Sequence, residues 1–151
     1  MTIDSKGVLA GRVAVVTGGS RGIGRALAAA LRSAGAEVVI SGRSREKLDR
    51  TAKEIDVVPV QADAMDRVAA SKPVDAAIAR FGGIDILINN VGGSAGGNPD
   101  LFSSDDDRFE ANLTLNLTSA YWSTRAAVSS MRERGHGRVI QIGSGASKHA
   151  A

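Results

Sequence analysis

A glycine-rich segment between a strand-like run and a helical pattern limits most strongly what this 151-residue chain can fold into. Residues 12–17 include three valines, and such a β-branched run is typical of a strand buried on both faces. The glycine-rich segment 18–24 follows directly. Apolar side chains then recur at helical spacing from Ile23 to Ala34, and Gly35 is the expected end of that helix. A strand, a glycine turn and a helix in this order predict the first unit of a parallel sheet.

The same alternation of strand-like and helical segments continues along the chain. Four more short apolar runs predict strands at residues 36–40, 57–61, 84–89 and 138–142, although Pro59 weighs against the second of these. Helical patterns lie between them at 44–55, in a stretch that is broken near Pro73 and ends at Phe81, and at 105–131. We therefore predict an α/β fold with a doubly wound parallel sheet of the Rossmann type, in one domain, 1–151.

The composition narrows the class of protein. The chain has no cysteine, which excludes a disulfide framework, a thiolate metal site and a cysteine nucleophile. Its formal net charge is +3 and its basic residues are spread without a Lys/Arg run, so we expect no nucleic-acid surface. No segment approaches the roughly 18 apolar residues of a membrane span, and the N-terminus lacks an apolar signal core. The sequence therefore predicts a cytoplasmic protein that has no membrane contact.

The glycine-rich segment predicts a phosphate site. Glycines permit the tight turn and the close approach of backbone to a pyrophosphate, and the N-terminus of the following helix offers N–H groups and a partial positive charge. Two alternatives are a plain glycine-rich turn and a nucleoside-triphosphate loop. The latter needs Lys-Ser/Thr where this chain has Arg25-Ala26. The residues predicted to contact the cofactor here are Gly18, Ser20, Arg21, Gly22, Ile23 and Gly24.

Five motifs in chain order resemble the short-chain dehydrogenase/reductase family. The first is Thr-Gly-x-x-x-Gly-x-Gly, which begins at Thr17. The family's Asn-Asn-Ala-Gly motif is matched from Asn89 onward, with valine in place of alanine. The resemblance covers essentially the whole chain. The residues to which it gives roles are Asp63 at the adenine ring, Asn90, Val91 and Gly92 at the cofactor, Asn116 as the active-site asparagine, and Ser144 as the catalytic serine.

The resemblance also implies a reaction and a substrate class. The family transfers hydride between a nicotinamide dinucleotide and a small-molecule carbonyl or alcohol, and 3-oxoacyl thioesters are frequent substrates in it. In that chemistry Ser144 would orient the carbonyl oxygen, and Asn116 would help to hold a water of a proton relay. The ordinary alternatives are a helix cap or a loop position for Ser144 and a solvated helix position for Asn116.

The chain departs from the family pattern at its C-terminal end. The family's catalytic Tyr-x-x-x-Lys is expected some way beyond Ser144, and the sequence ends at Ala151. Tyr121 precedes Arg125 rather than a lysine, and arginine holds its proton too firmly for a proton relay. The expected role of Tyr121 is therefore packing. We expect a C-terminally incomplete family member that by itself turns over little or no substrate. The alternative function is dinucleotide binding without catalysis.

The end of the second predicted strand favours NADP (NADPH) over NAD. In dinucleotide folds an acid about 20 residues past the glycines binds the ribose 2′-hydroxyl of NAD. Here the strand continues into Ser41, Gly42 and Arg43 without an acid. Arg43 offers a planar charged fork for a 2′-phosphate, Arg21 could close on the same group, and Ser41 could add a hydroxyl. The alternative is that both arginines are only solvated.

Exposed apolar side chains predict association. The helical pattern at 105–131 would pair between subunits of a homo-oligomer, as it does in family members, with an apolar face at Leu115, Tyr121 and Trp122. The last predicted strand leaves further apolar side chains short of cover, which also favours association. These side chains are Val139, Ile140 and Ile142.

The remaining polar motifs predict no metal site. His136 and His149 lack metal-ligand spacing, so we expect solvated loop residues. The acidic run 105–107 is typical of the negative first turn of a helix, with Ser103 or Ser104 as its cap.

Overall fold

The computed structural model describes residues 7–96 and 105–144, which form a five-stranded parallel sheet with helices on both faces. No helix in these two ranges is long and apolar enough to cross a membrane. The strands are β1 (Val13–Val16), β2 (Glu37–Gly42), β3 (Val58–Gln61), β4 (Ile86–Asn89) and β5 (Arg138–Gln141). The helices are α1 (Gly22–Ser33), α2 (Arg45–Ile55), α3 (Lys72–Phe81), α4 (Asp106–Leu113) and α5 (Ser119–Glu133).

The strand order is β3-β2-β1-β4-β5, and all neighbouring strands are parallel. The chain builds outward from β1 to β3 and then continues on the other side of β1 with β4 and β5. The order therefore reverses between β1 and β4, and open parallel sheets bind ligands at the carboxyl ends of the strands beside such a reversal. The predicted doubly wound parallel sheet is confirmed.

Successive side chains of β1 point to opposite faces of the sheet, so the core consists of two layers. Val13 and Val15 belong to a cluster that includes side chains of α3 and α5. Ala14 and Val16 belong to a second cluster, which includes side chains of α1 and α2. All four residues of β1 are at most 4% exposed, so the strand is covered on both faces. This explains why its sequence is continuously apolar instead of alternating with polar residues.

The two prolines that complicated the sequence pattern lie where proline is tolerated. Pro59 lies on β3, opposite Ile40 of β2. β3 is the outermost strand on one side of the described sheet. An edge strand can accept a residue that lacks an N–H group. Pro73 lies at the start of α3, directly after a 3₁₀ turn at Ala69–Ser71. The predicted third strand and the predicted break in the helical stretch are both confirmed.

The single helix predicted at 105–131 is interrupted in the structure. A π-helical segment, Thr114–Thr118, joins α4 to α5. Within it the Thr118 hydroxyl donates to the carbonyl oxygen of Leu113, five residues earlier, at 3.4 Å. The 3.6-residue apolar period cannot show this change, because it is a change of backbone hydrogen bonding. Such segments occur frequently at functional sites.

The cap of this helix also differs from the prediction. The Asp105 carboxylate accepts a hydrogen bond from the Arg108 N–H at 2.8 Å, so Asp105 is itself the N-cap. An aspartate at this position both satisfies a free N–H group and complements the helix dipole. The predicted caps, Ser103 and Ser104, lie outside the described residues. The acidic first turn is confirmed.

Several large apolar side chains of α4, the π-helical segment and the start of α5 face outward. Four of them, spaced four residues apart, form a line that we call the apolar stripe: Phe109, Leu113, Leu117 and Tyr121, which are 61%, 41%, 64% and 57% exposed. The buried face of α5 is instead made of small residues and one methionine: Ser119, Ser123, Ala127, Ser130 and Met131. The predicted apolar face at Leu115, Tyr121 and Trp122 is therefore only partly right, because Leu115 and Trp122 are half-buried.

Candidate functional site

The glycine turn after β1 and the loop after β4 are locked together at the carboxyl edge of the sheet. The Thr17 hydroxyl accepts hydrogen bonds from the N–H groups of Asn90 at 3.0 Å and Val91 at 3.3 Å. In return, the Asn90 side-chain amide donates to the carbonyl oxygens of Thr17 at 3.1 Å and Gly18 at 3.3 Å. The side-chain amide of Asn90 is thus used to hold the glycine turn in place. We therefore expect Asn90 to support cofactor binding by positioning the backbone of the turn.

The glycines of the turn occupy positions that a side chain could not. Gly18 and Gly22 have φ values of +67° and +54°, in the left-handed region that favours glycine. A Cβ atom on Gly24 would lie 2.3 Å from the Gly18 carbonyl oxygen and 2.5 Å from Nδ2 of Asn90. On Gly19 it would lie 2.6 Å from Cγ2 of Ile40. The backbone of the turn therefore approaches its neighbours as closely as a phosphate-binding turn requires.

The first turn of α1 is suited to an anion. Its N-cap residue, Arg21, makes no side-chain capping hydrogen bond, and the first turn contains no acidic residue. The N–H groups at this end are thus open to a ligand, and the helix dipole favours negative charge there. Arg21, Gly22 and Ile23 are exposed at the surface of the turn, and Ile23 is 64% exposed. The residues present therefore fit the phosphates of a dinucleotide.

The turn also rests against the end of β2 and against α2. The Gly19 N–H donates to the Ser41 carbonyl oxygen at 2.9 Å, and a Cβ on Gly42 would lie 3.2 Å from Oγ of Ser20. The Thr51 hydroxyl of α2 donates to the Ser20 carbonyl oxygen at 3.0 Å. These contacts hold Ser20 of the glycine turn against the carboxyl end of β2.

Beyond the end of β2 an open cavity of about 400 Å³ brings together two predicted residues, Arg43 and Asp63. We call it the β2–β3 cavity, and its lining consists of Arg43, Gln61, Ala62, Asp63, Ala69 and Lys72. Ser41, predicted to join Arg43, is only 4% exposed and lines a smaller inner cavity with Thr17 and Asn89. The acid at the other end of β2, Glu37, begins the strand and lies away from this edge. The β2–β3 cavity is therefore the place where the adenosine end of a dinucleotide could lie.

Asn116 lies in the π-helical segment and contacts the loop after β4. Its Oδ1 accepts from the Gly93 N–H at 2.9 Å, and its Nδ2 donates to the carbonyl oxygens of Gly93 at 2.9 Å and Asn112 at 3.0 Å. A Cβ on Gly92 would lie 3.2 Å from Oδ1 of Asn116, so a larger residue there would crowd this amide. The predicted site residues Gly92 and Asn116 are thus brought together.

A second asparagine holds the same loop, and sequence reasoning missed it. The Asn112 Oδ1 accepts from the Ala95 N–H at 3.0 Å, and its Nδ2 donates to the Arg108 carbonyl oxygen at 2.9 Å. Asn112 and Asn116 stand about one helical turn apart, so both side chains reach the loop from the same side of the helix. The spacing of two asparagines by four residues in a surface helix was the available signal.

Ser144 lies at the same edge of the sheet as the other predicted residues. It follows β5 by three residues and is exposed. The Ile142 N–H donates to the Asn89 carbonyl oxygen at 2.9 Å, which extends the pairing of β5 with β4 toward Ser144. Tyr121, the sequence's one tyrosine, lies exposed on α5 in the apolar stripe. Lys148 and His149 lie outside the described residues.

The opposite edge of the sheet carries a charged cluster that the sequence did not predict. The Asp85 carboxylate is 2% exposed and accepts hydrogen bonds from the Val13 N–H at 2.7 Å and from Arg12 at 3.2 Å. Arg134 lies 3.4 Å away, and Nε2 of His136 also contacts the carboxylate. His136 does lie in a loop, but its ring is not merely solvated, because β4 and β5 bring it against Asp85. Within residues 7–96 and 105–144 no group of side chains is arranged to hold a metal ion.

Curated relatives match most of this chain in sequence. An uncharacterized oxidoreductase of Staphylococcus aureus is 33% identical over 140 residues, which are 91% of this chain and 60% of the relative. The (5R,7aS)-5-hydroxy-7a-methyl-1-oxo-2,3,5,6,7,7a-hexahydro-1H-indene-carboxyl-CoA reductase of Mycobacterium tuberculosis is 36% identical over 145 residues, which are 91% of this chain and 55% of that protein. The 3β-hydroxysteroid dehydrogenase 2 of Eggerthella lenta is 37% identical, with 88% of this chain and 53% of that protein covered. This chain thus spans a little over half the length of these relatives.

A solved structure and a family model agree with these relatives. The crystal structure of a candidate short-chain alcohol dehydrogenase from Sinorhizobium meliloti superimposes with a TM-score of 0.87 at 33% identity, covering 95% of this chain and 58% of that one. The family model of short chain dehydrogenases matches residues 12–151, from the start of β1 onward. Together with the locked glycine turn and the placement of Asn116, these matches show that the chain belongs to the short-chain dehydrogenase family.

Proposed function

We propose that this chain provides the dinucleotide site of an NADP-dependent short-chain oxidoreductase that interconverts a small-molecule carbonyl and its alcohol. The observation that carries the choice of NADP is the exposed Arg43 side chain in the β2–β3 cavity, at the end of a strand without a carboxylate. An acid at this place would repel a 2′-phosphate, whereas a guanidinium binds it through charge-assisted hydrogen bonds. A cytoplasmic location remains a prediction of the sequence.

Each part of the site would hold a different part of the cofactor. The first turn of α1 would bind the pyrophosphate, Arg43 the 2′-phosphate, and Asp63 the adenine amine. The Asp63 carboxylate is already oriented, since its Oδ1 accepts from the Met65 N–H at 3.0 Å. When bound, the nicotinamide dinucleotide supplies or accepts the hydride. The substrates named for two of the curated relatives, a CoA ester and a hydroxysteroid, are compatible with a carbonyl or alcohol substrate.

Asn116 and Ser144 would act on the substrate side. The Ser144 hydroxyl would donate a hydrogen bond to the carbonyl oxygen and orient it. Asn116 holds the Gly93 backbone with both ends of its amide, so it would fix the loop that borders the substrate and would help to position a water of the proton relay. The alternative function, dinucleotide binding without turnover, stays a prediction of the sequence. A turnover assay with a carbonyl substrate separates the two functions.

Replacing Arg43 tests the proposed cofactor. We expect Arg43→Ala to weaken NADPH binding about ten- to hundredfold, because a charge-assisted hydrogen bond to phosphate contributes roughly 1.5–3 kcal/mol. NADH binding should be nearly unchanged, because NADH lacks the 2′-phosphate. The measurement is titration of the purified protein with each nucleotide. Arg45→Ala is the matched control, since Arg45 pairs with Asp49 at 2.8 Å on the surface of α2 and should leave both affinities unchanged. Equal losses of NADPH and NADH binding in Arg43→Ala would contradict the proposal.

We also propose that the chain associates with a second copy through the apolar stripe. Three of its four side chains are more than half exposed, and a continuous exposed apolar surface of this kind is typical of an interface. Tyr121→Glu should weaken self-association at least about tenfold, since it would bury an unpaired charge. Sedimentation velocity over a concentration series measures this. Val8→Glu is the control, because Val8 is 83% exposed and lies away from the stripe. A wild-type protein that stays monomeric at all concentrations would exclude the interface.

A further inference from the structure

We propose that Lys72 is a second cation for the 2′-phosphate of the dinucleotide and therefore helps to determine cofactor specificity. The inference rests on the proposed function and extends it to a residue that belongs to none of the sequence motifs. Lys72 is the first residue of α3, and it lines the β2–β3 cavity together with Arg43.

The cavity has the size and the charge of a nucleotide-phosphate site. Its volume of about 400 Å³ lies within the range of ligand pockets, roughly 300–1,000 Å³. Its charged lining consists of Arg43, Lys72 and Asp63, two cations and one anion. The two cations favour a phosphate, and the carboxylate of Asp63 can accept a hydrogen bond from a neutral donor. An adenosine 2′-phosphate carries both groups.

Both cations are available to a ligand. Within residues 7–96 and 105–144, neither Arg43 nor Lys72 forms an ion pair, whereas Arg25, Arg32 and Arg45 each pair with a carboxylate of α2 or its C-cap at 2.6–2.8 Å. The side chains of both are exposed. The phosphate would therefore not have to displace an existing carboxylate partner.

The acids closest to Lys72 along the chain are engaged elsewhere. The Asp66 Oδ1 accepts from the N–H groups of Val68 at 2.9 Å and Ala69 at 2.7 Å, in the turn that leads into the 3₁₀ segment before α3. The Asp75 carboxylate accepts from the Ser71 hydroxyl at 2.9 Å. These contacts hold both carboxylates on the helical segment, so the ammonium group of Lys72 can turn toward the cavity.

Neighbouring contacts fix the backbone that carries each cation. The Gln61 side-chain amide donates to the Arg43 carbonyl oxygen at 2.9 Å, which ties the exit of β2 to the end of β3. Lys72 stands at the start of a helix whose following residues, Pro73 and Val74, are buried. The two cations thus approach the cavity from two fixed elements. A phosphate between them would receive a planar fork from arginine and a point charge from lysine.

The experiment uses two nucleotides that differ only in the 2′-phosphate, adenosine 2′,5′-bisphosphate and adenosine 5′-monophosphate. Their dissociation constants are measured by calorimetry on the purified wild-type protein and on Lys72→Met, which keeps an unbranched side chain of similar size and removes its charge. We expect Lys72→Met to weaken the bisphosphate about three- to tenfold, because the contact is exposed and partly screened. The monophosphate affinity should be unchanged, and Lys72→Arg should keep the preference for the bisphosphate.

Lys53→Met is the matched control, because Lys53 is an exposed lysine of α2 that lines neither cavity. It should leave both affinities unchanged, which separates a local contact from a general loss of positive charge. If Arg43→Ala removes the preference for the bisphosphate and Lys72→Met does not change it, the role of Lys72 is overturned while the proposed function stands. If the wild-type protein shows no preference for the bisphosphate, both are overturned. Equal weakening of both nucleotides by Lys72→Met also overturns the role of Lys72.

Discussion

Gly24→Ala is expected to remove most of the affinity for the dinucleotide. The added methyl group would lie 2.3 Å from the Gly18 carbonyl oxygen and 2.5 Å from Nδ2 of Asn90, and neither atom is the free end of a flexible side chain. The start of α1 would have to move away from the turn, and the N–H groups that we propose to bind the phosphates would move with it. Loss of those hydrogen bonds corresponds to roughly a ten- to hundredfold weaker NADPH affinity.

The same substitution should also lower the free energy of unfolding. Overpacking of a close contact costs about 1–3 kcal/mol. Urea unfolding and NADPH titration on the same preparation measure both effects. The matched control is Gly143→Ala, since a Cβ there meets no atom of the described chain within 4 Å and the backbone is outside the left-handed region. Wild-type affinity in Gly24→Ala would show that close packing of α1 against the turn does not position the phosphate site.

The sheet could be predicted from the sequence because its signals are local. Each strand is a short apolar run, and each turn or helix between the strands has its own glycine, cap or period. Pro59 and the break near Pro73 agree with the structure for the same reason, since proline changes the backbone at its own position. The alternating strand–helix pattern predicts a doubly wound fold class, but it does not predict between which two strands the order reverses. The structure shows that the reversal lies between β1 and β4, and therefore which strand ends meet.

The contacts that the sequence did not predict join residues that are distant in sequence. Asn112 reaches Ala95, Lys72 reaches the cavity of Arg43, and His136 reaches Asp85 only after the strands have assembled. The buried face of α5 also does not follow from the hydrophobic pattern. The helix packs against the sheet through small serines, and the Ser123 hydroxyl donates to Oδ1 of the buried Asn89 at 2.6 Å. A periodic pattern that scores serine as polar cannot find this face.

The charged cluster at Asp85 should contribute more to stability than any surface ion pair of the chain. Asp85→Ala would leave the Val13 N–H without its acceptor, and would leave Arg12 and Arg134 without their shared carboxylate. Removing one partner of a buried pair costs about 3–5 kcal/mol. Because the side chains of Arg12 and Arg134 are 46% and 31% exposed, we expect a loss of about 2–3 kcal/mol. Asp49→Ala, which breaks the exposed pair with Arg45, should cost at most about 0.5 kcal/mol.

The pH dependence of stability gives an independent test of the same cluster. Burial alone would raise the pKa of Asp85, but hydrogen bonds from Val13, His136 and Arg12 and the charge of Arg134 outweigh it and lower the pKa. A carboxylate whose pKa is lower in the folded than in the unfolded chain stabilises the fold fully when the pH is above its pKa in the unfolded chain, which is about 4. This stabilisation is lost as the pH falls through the pKa in the folded chain. The stability difference between wild type and Asp85→Asn should therefore shrink as the pH falls below about 4. A difference that stayed constant down to pH 2 in urea unfolding would show that the charge of Asp85 does not stabilise the fold.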